Sequence, residues 1–66
     1  MNILPQEVKE LREKMGWTQE DLARKMYLSL ATIQRWEAKG AKPNRLAARE
    51  LAKLFRKAGI DDRLDA

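Results

Sequence analysis

Residues 18–37 read TQEDLARKMYLSLATIQRWE, and this stretch decides the fold. It opens on Thr18, a helix-capping residue followed three positions later by an acidic side chain, and this pattern predicts a helix over residues 19–26. Ser29 is a second capping residue and predicts another helix over about 30–38. Behind each cap, apolar residues recur three or four positions apart, so each helix has one face suited to burial. The stretch therefore predicts two short amphipathic helices in succession.

The connection between these two helices spans only about three residues. A connection this short makes the helices cross steeply, and a steep pair with an exposed second helix has a shape that fits the major groove of DNA. Ala23 is expected where the two helices meet, because a larger side chain would push them apart. Residues 18–38 are therefore predicted to form a helix-turn-helix. The other side chains expected to be buried in it are Leu22, Met26, Leu28, Ile33 and Trp36.

The flanking sequence predicts a further helix on each side. Pro5 suits the first position of a helix over residues 5–15, which ends at Gly16. Asn44 suits the cap of a fourth helix that ends near Gly59, a residue type that favours the left-handed backbone of helix ends. The expected apolar faces of these two helices are Leu4, Val8, Leu11 and Met15, and Ala47, Leu51, Leu54 and Ala58. Together these elements predict an all-α fold, a compact bundle of four to five short helices forming a single domain over the whole chain.

The charge of the chain is unevenly distributed. Its 66 residues contain 14 Lys and Arg against 10 Asp and Glu, a formal net charge of +4. Residues 24–57 carry ten basic and two acidic side chains, a net charge of +8, whereas residues 1–23 and 58–66 each have a net charge of −2. Such a basic segment indicates a polyanionic partner, nucleic acid before a membrane surface, although basic side chains that only solvate helix surfaces are the alternative. If DNA is the partner, the first helix and the acidic end at Asp61–Asp65 should face away from it.

The composition also excludes several classes of function. With no Cys and no His, the chain has no thiol nucleophile or disulfide and lacks the commonest metal ligand and the usual general base. A chain of this size buries about 60% of its surface around one small core, too little to enclose a pocket. We therefore expect no enzymatic activity, cofactor, metal or small-molecule ligand. The apolar runs are too short to span a membrane and the sequence shows no signal peptide, so a cytoplasmic location is expected.

The spacing of the central residues resembles that of a known family. The pattern is Gln19-x-x-Leu22-Ala23-x-x-Met26-x-Leu28-x-x-x-x-Ile33-x-x-Trp36-Glu37, followed by Pro43. It is similar to the helix-turn-helix family of phage lambda repressor and Cro, also called the xenobiotic response element (XRE) family, over about residues 7–60. The resemblance implies a lambda repressor-like DNA-binding domain in which the second helix of the pair reads the major groove.

The resemblance also assigns roles to individual residues. It implies that the exposed front of helix 30–38 contacts bases through Leu30, Ala31, Thr32, Gln34 and Arg35. Leu30 and Ala31 can contact only thymine methyl groups, whereas Gln suits adenine and Arg suits guanine. Arg12 and Glu37 are implied to form a partly buried ion pair that ties the first helix to the end of the third. The residues implied to contact phosphates are Gln19, Ser29, Lys39, Lys42, Asn44 and Arg45.

Several positions depart from the family pattern. Tyr27 occupies the turn position that is usually Gly, which predicts a turn of different shape because a bulky residue rarely adopts a positive φ. Ala38 replaces an Asn that binds phosphate in several relatives, and Gly40 lies one residue later than the usual Gly after the Trp-Glu pair. Relatives often continue into a fifth helix that forms a dimer contact, for which only Ile60 and Leu64 remain here.

These observations predict a sequence-specific regulator of transcription, most simply a repressor, that binds double-stranded DNA through helix 30–38. A specific site requires more discrimination than the polar side chains of one subunit supply, so we expect a homodimer on a palindromic site. The alternative is a protein-interaction module, such as a DNA-binding antitoxin or an adaptor, because the apolar Leu30 and Ala31 suit a protein surface equally well.

Overall fold

The computed structural model describes residues 2–60, which contain four helices and no strand. The helices are α1 (Pro5–Met15), α2 (Gln19–Met26), α3 (Leu30–Lys39) and α4 (Arg45–Lys57). The predicted all-α fold and order of helices are confirmed, and α3 runs one residue further than predicted before it ends at Gly40. None of these helices has both the length and the hydropathy that crossing a membrane requires. Leu64, the acidic end and any fifth helix lie at residues 61–66, outside the described part of the chain.

Side-chain caps begin three of the four helices. Thr18 Oγ1 accepts the Asp21 N–H at 3.1 Å, while Asp21 Oδ2 accepts the Thr18 N–H at 2.9 Å. Ser29 Oγ and Asn44 Oδ1 each accept the backbone N–H three residues further on, at 3.2 Å and 2.9 Å respectively. These bonds satisfy amide groups that have no partner inside the helix. The capping residues therefore set where α2, α3 and α4 begin.

The core is built from one side of every helix. α3 packs against both α1 and α2, and α4 packs against α2. The side chains predicted to be buried in the helix-turn-helix are buried, except that Leu28 packs against the core and stays partly exposed. Leu4 is exposed instead of buried, because it precedes α1 in extended backbone and the adjacent Ile3 faces the core. The buried apolar side chains are Ile3, Val8, Leu11, Leu22, Ala23, Met26, Ile33, Trp36, Ala41, Leu51, Phe55 and Ile60.

The turn between α2 and α3 contains a left-handed residue. Tyr27 has φ 58° and ψ 39°, and it is the one non-glycine residue with positive φ among residues 2–60. The backbone thus takes the conformation that Gly favours, and the expectation of a different turn shape is wrong. The Tyr27 side chain is 94% exposed, so the strain is confined to its own Cβ and the backbone. The Leu28 N–H donates to the Ala23 carbonyl at 2.9 Å, which closes the end of α2.

We expect Tyr27→Gly to raise the free energy of unfolding by about 0.5–1 kcal/mol. Left-handed backbone costs a non-glycine residue roughly 1–2 kcal/mol, and the greater freedom of Gly in the unfolded chain offsets part of that gain. Urea denaturation measures the change. Tyr27→Ala is the matched control, since it loses the exposed ring but keeps Cβ, and it should be nearly neutral. Equal stability of the two variants would contradict the argument from backbone strain.

Candidate nucleic-acid interface

The outward face of α3 carries side chains that are accessible to a ligand. Ile33, Trp36 and Glu37 are buried, so they turn toward the interior. No hydrogen bond or ion pair within residues 2–60 engages the side chains of Gln34 or Arg35. The opposite, exposed face is formed by Ala31, Gln34, Arg35 and Ala38. We call these four residues the outer face of α3.

Two of the predicted base-contacting residues are less accessible. Leu30 is half-buried and lines a concave surface together with Gln19 and Gln34. Thr32 is also half-buried, and its Oγ1 lies 3.0 Å from Ser29 Oγ. Both hydroxyl groups therefore already have a partner at the start of α3. The accessible polar groups lie further along the helix, one turn from its N-terminus.

Basic side chains lie at the C-terminal end of α3. Arg35, Lys39 and Lys42 line one concave surface, and all three are exposed. Arg45 is exposed too, but it lies at the start of α4 and outside that surface. Asn44 uses its side-chain oxygen as the α4 cap, which leaves its amide N–H groups as donors. The structure thus brings together three of the predicted DNA contacts at the end of α3 and places Asn44 and Arg45 outside the surface that they line.

An ion pair holds the inner side of α3. Arg12 Nε donates to Glu37 Oε2 at 2.6 Å and Arg12 Nη2 donates to Glu37 Oε1 at 3.0 Å, so the contact is bidentate. Arg12 Nη1 also donates to the Trp17 carbonyl at 3.1 Å, and Gln19 Nε2 donates to Glu37 Oε1 at 3.2 Å. The Glu37 side chain is 3% exposed and that of Arg12 is 19% exposed. This network joins α1, the start of α2 and the end of α3, and so fixes the angle at which α3 is presented.

Residues 8–60 match a family model described as helix-turn-helix. The chain belongs to the lambda repressor-like helix-turn-helix family. The match runs from within α1 to just beyond α4, and the family consists of DNA-binding regulators of transcription that are generally not enzymes. No individual curated protein and no solved structure gives a significant match. The helix-turn-helix protein is thus a DNA-binding transcription regulator of the XRE type, and its α2–α3 pair is the candidate interface with double-stranded DNA.

Gln19 makes a contact in the helix-turn-helix protein that its sequence did not predict. The family resemblance implied a phosphate contact for Gln19, and that role stays a prediction. In the structure its amide group donates to Glu37, which lies 18 residues away in the sequence. The position of Gln19 at the start of α2 indicated an anion-binding helix end, but gave no sign that Glu37 lies opposite.

The environment of Glu37 lowers its pKa. Burial alone disfavours the charged carboxylate and raises the pKa, but the hydrogen bonds from Arg12 and Gln19 and the charge of Arg12 outweigh burial. The pKa of Glu37 therefore lies below its ordinary value. The same hydrogen bond, from the side of the guanidinium, raises the pKa of Arg12. Both groups are thus charged across the physiological pH range.

The lowered pKa predicts an acid-dependent loss of stability. Because the folded pKa of Glu37 lies below its unfolded value, the stabilisation is fully present above the unfolded pKa of about 4.3. It is lost as the pH falls from there through the folded pKa. Urea denaturation of the wild type and of Glu37→Gln between pH 7 and pH 3 measures this component. We expect the stability difference between the two proteins to shrink as the pH falls, and a difference independent of pH would contradict the assignment to Glu37.

Proposed function

We propose that this helix-turn-helix protein is a sequence-specific regulator of transcription, most simply a repressor, that inserts α3 into the major groove of DNA. The observation that supports the proposal is the outer face of α3, which is exposed and lies within the segment of net charge +8. An α-helix with its side chains is about 10–12 Å wide, and the major groove of B-DNA is about 12 Å wide. The buried side of α3 meanwhile packs on α1 and α2, which hold the helix as a rigid element.

Base recognition is proposed for the outer face. Arg35 suits the O6 and N7 atoms of guanine, and Gln34 suits the N6 and N7 atoms of adenine, each through two hydrogen bonds. Ala31 suits a thymine methyl group. Leu30 and Thr32 are half-buried, so we assign them only peripheral contacts with the bases. Arg35 and Gln34 therefore carry most of the polar readout.

Phosphate contacts are proposed on both sides of this face. Such contacts set the position of the protein along the duplex and carry no direct sequence information. Lysine and arginine side chains make up half of the proposed set, and the free N–H groups at the starts of α2 and α4 add to it. The proposed phosphate-contacting residues are Gln19, Ser29, Lys39, Lys42, Asn44 and Arg45.

A homodimer on a palindromic site follows from the free energies. One bidentate base contact discriminates by about 1–3 kcal/mol, whereas specific sites are bound about 4–10 kcal/mol more tightly than random DNA. The two contacts from Arg35 and Gln34 of one subunit do not reach the upper part of the range that specific sites require. Two subunits related by a two-fold axis double the contacts, and their half-sites should lie about one helical turn apart.

A role as a protein-interaction module remains the second candidate, and it is weaker than the sequence suggested. It depended on the apolar pair Leu30 and Ala31. Leu30 is half-buried beside the start of α2, so Ala31 is the only exposed residue of this pair. A single methyl group is too small an apolar surface for a stable interface.

Selection of bound sequences from a random duplex pool, followed by fluorescence titration, tests the proposed function. The recovered duplex should be palindromic and should bind at least about 10³-fold more tightly than a random duplex at physiological salt. The affinity for both duplexes should fall as salt increases, with a slope of about −0.9 for each phosphate neutralised. Equal affinity for the two duplexes, or affinity that does not respond to salt, would overturn the proposal.

A further inference from the structure

The segment that precedes α1 pairs with the loop that follows α3. The Ile3 N–H donates to the Ala41 carbonyl at 2.9 Å, and the Ala41 N–H donates to the Ile3 carbonyl at 2.8 Å. These two bonds form an isolated antiparallel bridge. Both side chains are buried in the core, so the bridge is held by packing as well as by hydrogen bonds. We call this pair the Ile3–Ala41 bridge.

Gly40 makes the close approach of these two segments possible. Its φ of 89° and ψ of 177° place it in a backbone region that essentially only glycine occupies. A Cβ atom at this position would lie 2.8 Å from the Ile3 carbonyl oxygen and 3.4 Å from Pro5 Cδ. The Gly40 N–H also donates to the Trp36 carbonyl at 2.8 Å, at the end of α3. Hydrogen bonds thus fix the loop backbone at both Gly40 and Ala41.

Two basic residues flank the Gly40–Ala41 pair. Lys39 directly precedes Gly40, and Lys42 directly follows Ala41. Both lysines are exposed, and they line one concave surface with Arg35 and Asn2. Lys39 is the last residue of α3, and Lys42 directly follows the bridged residue Ala41, so these bonds hold the backbone that links the two lysines.

We propose that the Ile3–Ala41 bridge is a positioning device for DNA binding, which holds Lys39 and Lys42 where both reach backbone phosphates of the duplex. The inference rests on the proposed function, and it adds residues 2–4 and Gly40 to the apparatus that binds DNA. An unfixed loop would have to become ordered on binding, at a cost in conformational entropy that lowers affinity. The bridge removes that cost before DNA arrives. Because phosphates are the target, the effect is the same for every duplex sequence.

Two glycine variants of the full chain test the proposal. Gly40→Ala introduces the clash with Ile3, whereas Gly16→Ala also places a side chain at positive φ but meets nothing within 4 Å. We expect Gly40→Ala to bind a random and a selected duplex about tenfold more weakly at low salt, and to reduce the salt slope by about one to two. Gly16→Ala should keep the wild-type slope. Circular dichroism and urea denaturation establish that each variant is folded in the titration buffer.

A double-mutant cycle tests whether Gly40→Ala weakens DNA binding through the two lysines. In a protein that carries Lys39→Ala and Lys42→Ala, adding Gly40→Ala should change neither the affinity nor the salt slope further. An effect of Gly40→Ala that persists in this background would overturn the proposal. So would a loss confined to the selected duplex with an unchanged salt slope, because that result would mean the bridge acts on α3 and base readout.

Amide hydrogen exchange of the wild-type protein decides the matter if Gly40→Ala does not fold. DNA should slow exchange at Ile3 and Ala41 more than at Ile60, whose N–H closes the C-terminal end of α4 by a bond of 3.0 Å to the Phe55 carbonyl. Equal slowing at all three amides would overturn the proposal. If the wild type itself binds no duplex in a salt-dependent way, the proposed function fails. If it binds and Gly40→Ala behaves as Gly16→Ala, the positioning device alone fails.

Discussion

Arg12→Ala is expected to lower the free energy of unfolding by about 3 kcal/mol. The substitution leaves the Glu37 carboxylate, which is 3% exposed, with Gln19 as its remaining hydrogen-bond donor. Removing one partner of a buried ion pair costs about 3–5 kcal/mol because the other charge stays buried, and we take the lower value since Arg12 itself is partly exposed. A chain of 66 residues has a total stability of roughly 3–10 kcal/mol, so much of it would be lost. Urea denaturation at pH 7 measures the change.

Two further variants separate burial from charge. Arg24→Ala is the matched control, because Arg24 pairs with Asp21 at 2.9 Å on the surface, with 75% of its side chain exposed. Its loss should cost at most about 0.5 kcal/mol. Arg12→Met combined with Glu37→Leu should recover most of the stability, since an apolar pair leaves no buried charge unpaired. A double variant as unstable as Arg12→Ala would show that the cost comes from lost packing.

The second large effect is expected for base recognition. Arg35→Ala should weaken binding of the selected duplex by about 5- to 150-fold, because each bidentate contact to guanine is worth about 1–3 kcal/mol. Binding of a random duplex should weaken far less, so the ratio between the two affinities falls. The observation behind this expectation is that the Arg35 guanidinium is exposed and has no partner within residues 2–60. Fluorescence titration of both duplexes at one salt concentration measures the ratio.

Lys42→Ala provides the contrast that identifies the roles. Loss of a phosphate contact should weaken both duplexes by the same factor and reduce the salt slope by about one. Lys14→Ala, on the exposed surface of α1, is the control for the loss of one positive charge and should change neither quantity. Identical binding profiles for Arg35→Ala and Lys42→Ala would contradict the division into base-reading and phosphate-contacting residues.

The helices were predictable because their signals are local. Thr18, Ser29 and Asn44 each bond to an amide three residues further on, so the information that starts a helix lies within one turn of sequence. The ion pair of Arg12 with Glu37 came from the family resemblance, since nothing in its 25-residue separation indicates contact. Local sequence thus predicted the elements, and resemblance supplied a pairing between them.

The contacts that sequence reasoning missed all join segments that are distant in the chain. The Ile3–Ala41 bridge uses backbone atoms, which leave no residue-type signal, and only Gly40 marked the site indirectly. Leu4 was assigned to the core because it continues the apolar spacing of α1, but it precedes the helix in extended backbone, where adjacent side chains face opposite sides and Ile3 is the one buried. Tyr27 was expected to alter the turn, but it adopts the left-handed backbone that Gly favours, with its ring 94% exposed.

The division of α3 into two faces has a consequence for how this protein can evolve. Ile33, Trp36 and Glu37 carry the packing and the ion pair, whereas Ala31, Gln34, Arg35 and Ala38 contribute neither. Substitutions at the second set are therefore nearly neutral for folding, since exposed positions away from such features change stability by less than about 0.5 kcal/mol. Preference for a new DNA sequence can consequently arise by a few single substitutions, and each variant along the way is a folded protein. The residues that hold the fold and the residues proposed to read DNA can therefore change independently. A library randomised at these four positions would sample new specificities on an unchanged framework.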